Sequence, residues 1–223
     1  MHPALVPLEC EEDWVKNWQG LSLRNINAKV IVDGKEEREM FGEMLFTHFG
    51  VSGPIILSLS RQIALDLKAG KNVELSINLK PALTREQLDK RICRDFEKYS
   101  RKQIKNALHD LLPSKMIMDI IDLAVIDEDK FVNQISKEER ERLVDLLQNL
   151  TITITRTRPL SEAIVTGGGI STKEINPKTM ESKLIGNLYC IGEVIDVDAF
   201  TGGYNLQAAF SMGYVAGVDC AKE

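Results

Sequence analysis

The chain has no Cys-x-x-Cys pair, no basic charge balance, no long apolar run and no G-x-G-x-x-G fingerprint. Each absence removes a class of protein. The four cysteines, Cys10, Cys93, Cys190 and Cys220, stand far apart, so neither a zinc site nor a disulfide framework is indicated. Cys190, inside the apolar Leu188-Tyr189-Cys190-Ile191, reads as a buried structural thiol. No apolar stretch approaches the roughly 18 residues that a membrane span needs, and neither a basic nor an apolar signal region follows Met1-His2-Pro3. No membrane partner is therefore expected, and cytoplasmic residence is. The formal net charge of −5 gives no basic footprint, so the expected partner is a small-molecule substrate and not a nucleic acid. Nothing in the sequence speaks to oligomeric state.

What is present is ordinary for a folded protein: 223 residues, 43% hydrophobic and 27% charged, enough for one large domain or two small ones. The opening PALVPL, with two prolines in six residues, favours extended backbone and reads as a connector. RNINAKVIVD (24–33) alternates apolar and polar residues as a half-buried strand does, Asp33-Gly34 signals a hairpin, and Lys35 to Phe46 is the return strand. Pro54 opens a helix whose apolar residues Ile55, Ile56, Leu59, Ile63 and Leu67 recur at helical spacing, with Gly70 at its stop and Ser52-Gly53 at its cap. NVELSINL (72–79) is another strand. From Thr84 to Leu150 there is no glycine and apolar residues follow a helical period. Thr84-x-x-Gln87 and Ser136-x-x-Glu139 are capping boxes, with Pro113-Ser114 between. This is a helical module with solvated charged faces, His109 among them. TITITRTR (151–158) resumes strand alternation, Ala163–Val165 and Asn187–Ile191 read as short strands, the latter buried on both faces, and Asn205–Ala221 is a helix rich in small residues.

Three stretches could carry chemistry. Gly167-Gly168-Gly169 follows a strand and would let backbone approach a ligand, although a plain loop explains such a cluster equally well. Gly192-Glu193 ends an apolar strand, and Thr201-Gly202-Gly203-Tyr204-Asn205 leads into the last helix. A strand-end carboxylate can accept hydrogen bonds from sugar or ribityl hydroxyls, and a helix N-terminus favours negative charge, though helix capping alone is the competing reading. The third is Phe46-Thr47-His48-Phe49, whose lone histidine is a candidate proton donor or, lacking a visible partner, a structural residue.

The string GGGISTKEINPKTMESKLIGNLYCIGEVIDVDAFTGGYNLQAAFSMGYVAG closely resembles the carboxyl-terminal part of the HI0933-like, or BaiN/RdsA, family of NAD(P)/FAD-dependent oxidoreductases. FGEMLFTHFGVSGPIILSLSR resembles that family's inserted domain, and the resemblance covers nearly the whole chain. It implies an α+β multidomain fold: a β-rich, barrel-like insert domain (1–79 and 151–165), a helical subdomain (80–150), and the carboxyl-terminal part of a Rossmann-type FAD-binding domain (166–223). In the family the G-x-G-x-x-G lies in an amino-terminal segment. Its absence here implies a fragment that would bind FAD only with that segment and be inactive by itself. The full-length protein would pass hydride between NAD(P)H and an organic substrate, as in bile-acid-type double-bond reduction. The resemblance assigns Gly192 and Glu193 to the FAD ribityl and phosphate region, Gly202, Gly203, Tyr204, Asn205 and Leu206 to the isoalloxazine, and Gly167, Gly168 and Gly169 to the return from the insertion. Ala199 stands where the family often has glycine. Two alternatives are a non-catalytic binding module and a flavin-dependent RNA-modifying protein.

Overall fold

The computed structural model describes residues 1–222. Its centre is a six-stranded closed antiparallel barrel, built from β2 (Leu8–Cys10), β3 (Ser22–Val32), β4 (Lys35–Phe46), β5 (Gly50–Ser52), β6 (Val73–Asn78) and β7 (Leu150–Thr157), in the order β2-β5-β4-β3-β6-β7. The expected β3–β4 hairpin turns at Asp33-Gly34, both residues at positive φ, and pairs Val32 with Lys35. Register shifts at Leu23/Ile26 and Val30/Ile31 bend these long strands around the barrel. Closure depends on β2, where Leu8 faces Val51 of β5 on one side and Thr157 of β7 on the other. The opening PALVPL is thus more than a connector. Residues His2–Ala4 form β1, paired with β8 (Val165–Gly167), and Leu8 enters the barrel.

Alternation along these strands directs Ala28, Val30, Met44, Phe46, Leu75, Ile77, Ile152 and Ile154 into one buried core. Helix α1 (Pro54–Lys68) contributes Ile55, Ile56, Leu59 and Ile63 to it. Gly53 stands at the α1 N-cap with φ 95°, and no side chain caps the helix, so Ser52 does not have the capping role expected of it.

The helical module is spliced between β6 and β7, which pair directly with Ile77 opposite Leu150. It holds α2 (Arg85–Lys98), α3 (Ser114–Leu123) and α4 (Lys137–Gln148), and both expected capping boxes form. Leu88, Ile92, Ile104, Ile117, Ile120, Leu143 and Leu147 belong to the same core as the barrel strands. Module and barrel therefore share one apolar interior. A polar clasp reinforces the joint: buried Trp18 donates from Nε1 to Asp119 of α3 at 2.7 Å, and Asn17 donates to the other oxygen at 2.9 Å.

The last segment is built differently. Helix α5 (Tyr204–Cys220) and the loops before it enclose a core of only Ile175, Cys190 and Ile195. Cys190 is buried, as expected of a structural thiol. The stretch Asn187–Ile191 is not a strand buried on both faces: it makes one isolated bridge, Glu181 to Tyr189, and Leu188 and Ile191 are exposed. Its apolar sequence has no neighbouring strand to pair with among the described residues. The strand expected at Ala163–Val165 begins only at Val165, because Leu160–Glu162 forms a 3-10 turn.

Candidate functional site

Sequence order alone would not bring Leu5 to Met212, but the chain around the two-stranded β1–β8 ribbon faces α5. Between them lies a cleft of about 450 Å³. Its walls are mostly apolar: Leu5, Ile164, Val165, Val197, Phe200 and Met212. Its floor and mouth are Gly192, Glu193, Thr201, Gly202, Gly203, Asn205 and Leu206. Six of the ten expected site residues, Gly192, Glu193, Gly202, Gly203, Asn205 and Leu206, meet there.

Gly192 does not end a strand. It opens a 3-10 turn, Gly192–Val194, at φ 72°, a left-handed conformation that glycine adopts without steric cost. Glu193 follows it and accepts the Thr166 backbone N–H through Oε1, its only described bond, which leaves Oε2 without a partner among the described residues. A second, shallower cleft on the other side of Glu193 is lined by Met1, Thr166, Gly168, Gly169, Ile170 and Val194. Glu193 therefore stands between the two.

The three glycines 167–169 divide by cause. A Cβ on Gly167 would come within 2.4 Å of His2 Nε2, and one on Gly169 within 2.4 Å of the Val194 carbonyl oxygen. Gly168 has φ 83°. Gly167 lines neither cleft, and its smallness accommodates the His2 ring. His2 went unnoticed in the sequence. Its buried Nε2 has no hydrogen-bond partner, and burial first, then the Arg61 charge, lowers its pKa. Near Gly169, Ile170 donates to Val194 at 2.9 Å and accepts from Asp196 at 2.9 Å, a parallel bridge that fixes the two loops.

At the other end of the cleft, Gly202 (φ 113°) and Gly203 (φ 88°) deliver the chain into α5. No side chain caps this helix, so its first-turn N–H groups have no side-chain acceptor. Asn205 latches the preceding turn: it accepts the Ala199 N–H at 2.8 Å and donates to the Ala199 carbonyl at 3.0 Å. Asp198, beside it, is held by Arg61 of α1. Tyr204 is exposed and its ring packs over Gly202, outside the cleft lining. His48 is also outside it. It lies exposed in the β4–β5 turn, its ring edge-on to Phe49 at 4.9 Å.

An apolar slot accommodates an aromatic ring, a free carboxylate oxygen accepts from hydroxyls, and uncapped N–H groups meet negative charge.

A closed barrel with a helical module spliced between two of its strands, followed by a glycine-lined cleft at a helix N-terminus, defines a barrel-and-helix domain with a further terminal segment. The family model described as "HI0933-like protein barrel and H2TH domain" matches residues 2–165, and the chain belongs to that family. Among curated proteins it is similar to the 3-dehydro-bile acid delta(4,6)-reductase of Clostridium scindens, at 30% identity over 99% of this chain and 54% of the relative. It is likewise similar to the ribosomal RNA dihydrouridine synthases of Haemophilus influenzae, at 32% identity over 91% of this chain and 48% of the relative, and of Escherichia coli, at 32% over 97% and 51%. These names are those of oxidoreductase-type enzymes. The chain spans about half the length of the relatives it matches.

Proposed function

We propose that this chain supplies the barrel, the helical module and the closing part of the cofactor site of an FAD-dependent oxidoreductase that reduces a carbon–carbon double bond with hydride from NAD(P)H. The observation that carries this reading is the convergence of Gly192-Glu193, Gly202-Gly203 and the uncapped start of α5 on one apolar cleft. The relatives' names point to the same bond change, since a bile-acid delta-reductase and a dihydrouridine synthase each act on an unsaturated ring.

Bound FAD would supply the hydride chemistry between nicotinamide and substrate. The residues of this chain would bind and orient it. Glu193 Oε2 would accept from ribityl hydroxyls, while the N–H groups at Tyr204–Leu206 would favour negative charge on the flavin edge. Phe200, Val197 and Met212, on the apolar wall, would keep water from the ring. Asn205 holds the Ala199 turn so that Gly202 and Gly203 keep their positions. Gly168 and Gly169 fix the loop on the far side of Glu193.

A pyrophosphate cradle of the G-x-G-x-x-G type would come from the half of the relatives' length that this chain does not span. Two features of the last segment support that division. Its own core is three residues, and α5 leaves a stripe of Leu206, Phe210 and Tyr214 at four-residue spacing exposed. A second half-domain would cover this stripe. FAD titration followed by flavin fluorescence tests the proposal. Tight binding is expected for the chain extended upstream to the relatives' full length and weak binding for this chain alone. Tight, stoichiometric binding by the short chain would overturn the split-site reading, and failure of the extended protein to bind would overturn the flavin reading.

A further inference from the structure

The helical module holds a short two-chain ladder at its surface. One side is the connection after α2, residues 101–105, and the other is the connection after α3, residues 127–131. The two run antiparallel: Gln103 bridges Phe131, Ile104 donates to the Lys130 carbonyl, and Val132 donates to the Lys102 carbonyl, both at 2.9 Å. Lys105 pairs with Asp129 at 2.6 Å, as that register requires. The ladder thereby fixes an order. Arg101 and Lys102 stand at one end, Phe131 in the middle, and Asp127, Glu128 and Asp129 at the other.

Each part of this order faces solvent. Arg101 and Lys102 at the basic end, and Asp127 and Glu128 at the acidic end, are exposed and form no ion pair among the described residues. The Lys105–Asp129 pair between them belongs to the ladder itself. Phe131 is 45% exposed although its backbone is held by the bridge to Gln103. Arg101, Lys102 and Phe131 line one open concavity, so the basic end and the ring share a surface. At the acidic end Asp127 accepts the Asp129 N–H at 3.0 Å, which holds the turn that presents Glu128. Leu123 and Val125, 37% and 74% exposed, precede that turn in the chain.

We infer that this ladder is a self-complementary interface, on which a second copy of the chain docks about a two-fold axis passing near Phe131. A two-fold rotation reverses the order of the ladder, so each end of one copy meets the opposite end of the other. Arg101 and Lys102 then face the partner's Asp127 and the partner's Glu128, this contact occurs twice, and the two aromatic rings meet at the axis. A polyanion would be repelled by the acidic end and a polycation by the basic end, whereas a second copy satisfies both. The surface uses few residues against about 20–30 a side in a standard interface, so the dimer is weak and, being held by exposed charges, salt-sensitive. The inference does not depend on the flavin reading, because none of these residues lines the cleft.

Sedimentation velocity of the full chain over a concentration and a salt series is the test. The wild type is expected to show a reversible monomer–dimer equilibrium that weakens as salt rises. Arg101→Glu/Lys102→Glu makes both ends acidic. Asp127→Asn/Glu128→Lys removes one acid and reverses the other, while the amide oxygen can still accept the Asp129 N–H. Each variant alone should self-associate about tenfold or more weakly. An equal mixture of the two recreates opposite charges at both contacts, so it should recover the dimer to within about threefold of wild type, which two misfolded variants could not do. Phe131→Ala should weaken association and leave its salt dependence in place. A chain that stays monomeric throughout, including one that retains heparin or polylysine instead, would overturn the inference. So would a mixture that fails to recover, or association that ignores both charge variants and is abolished by Phe210→Ser on the exposed α5 stripe.

Discussion

The Arg61 guanidinium Nε lies 2.8 and 2.6 Å from the two carboxylate oxygens of Asp198, whose side chain is 5% exposed. This pair fastens the loop in front of α5 to the barrel helix α1, and Phe200 of the cleft wall is two residues further on. Arg61→Ala would leave a buried carboxylate without its cation. A fully buried pair broken in this way costs about 3–5 kcal/mol, and because the Arg61 head group is itself 43% exposed the expected loss is about 1–3 kcal/mol. Faster proteolysis between residues 196 and 203, with the barrel transition in urea unchanged, is the expected result. Uniform destabilisation of the barrel would show that the pair belongs to the main core instead.

Gly169 has little room to change. A Cβ there would meet the Val194 carbonyl oxygen at 2.4 Å, and backbone cannot give way as a flexible side chain can. Gly169→Ala should separate the loops joined by the Ile170–Val194 hydrogen bond, at a cost of about 1–3 kcal/mol or more. Gly186→Ala is the matched comparison, since no atom lies within 4 Å of its added Cβ, and its effect should stay within about 0.5 kcal/mol. Urea unfolding monitored by hydrogen exchange at Ile170 and Asp196 separates the two, and equal protection in both variants would refute the steric account.

Legibility in the sequence followed the range of the interactions. The hairpin at Asp33-Gly34, the strand Lys35–Phe46 and both capping boxes depend on neighbours within a few residues, and each was readable from spacing. The three-residue strands β2 and β5 were not, because Leu8 and Val51 become strand residues only when the barrel closes and pairs them. Asn187–Ile191 misled for the converse reason: its composition suits a buried strand, but among the described residues no strand lies beside it. Of the residues lining the candidate cleft, Gly192, Glu193, Gly202 and Gly203 were singled out through turn chemistry and family resemblance. The apolar wall was not, since Leu5, Ile164 and Met212 carry no signal until β1 and β8 bring them together. His2 was equally silent, being defined by the ring's fit against Gly167.

Glu9 ties β2 to β7 by accepting from Arg156 at 2.6 Å and from Arg158 at 2.8 Å. Burial alone would raise its pKa, but hydrogen bonds from the two guanidinium groups outweigh that and hold it below the ordinary 4.5. Folding thus favours the ionised form. The stabilisation is complete above 4.5 and is lost as pH falls through the lower folded value. Glu9→Gln should cost about 1–2 kcal/mol at neutral pH, with the gap to wild type closing in acid. Urea midpoints measured at neutral pH and well below 4.5 check this, and a gap independent of pH would mean that packing, not charge, holds the strand.

Glu193 offers a way to separate fold from cofactor at one position. Its Oε1 accepts the Thr166 N–H, which an amide oxygen can also do, whereas an amide nitrogen cannot replace Oε2 as an acceptor. In the protein extended to the relatives' full length, Glu193→Gln should keep the Thr166 tether and weaken FAD binding by roughly tenfold, the loss of one hydrogen bond to a charged acceptor. Glu193→Ala loses both functions, so it should weaken FAD further and also expose the chain near Thr166 to protease. Flavin fluorescence titration and limited proteolysis, run on both variants, distinguish the two effects. FAD affinity preserved in Glu193→Gln but lost in Glu193→Ala would make Glu193 a tether for β8 alone and place the flavin hydroxyls elsewhere in the cleft.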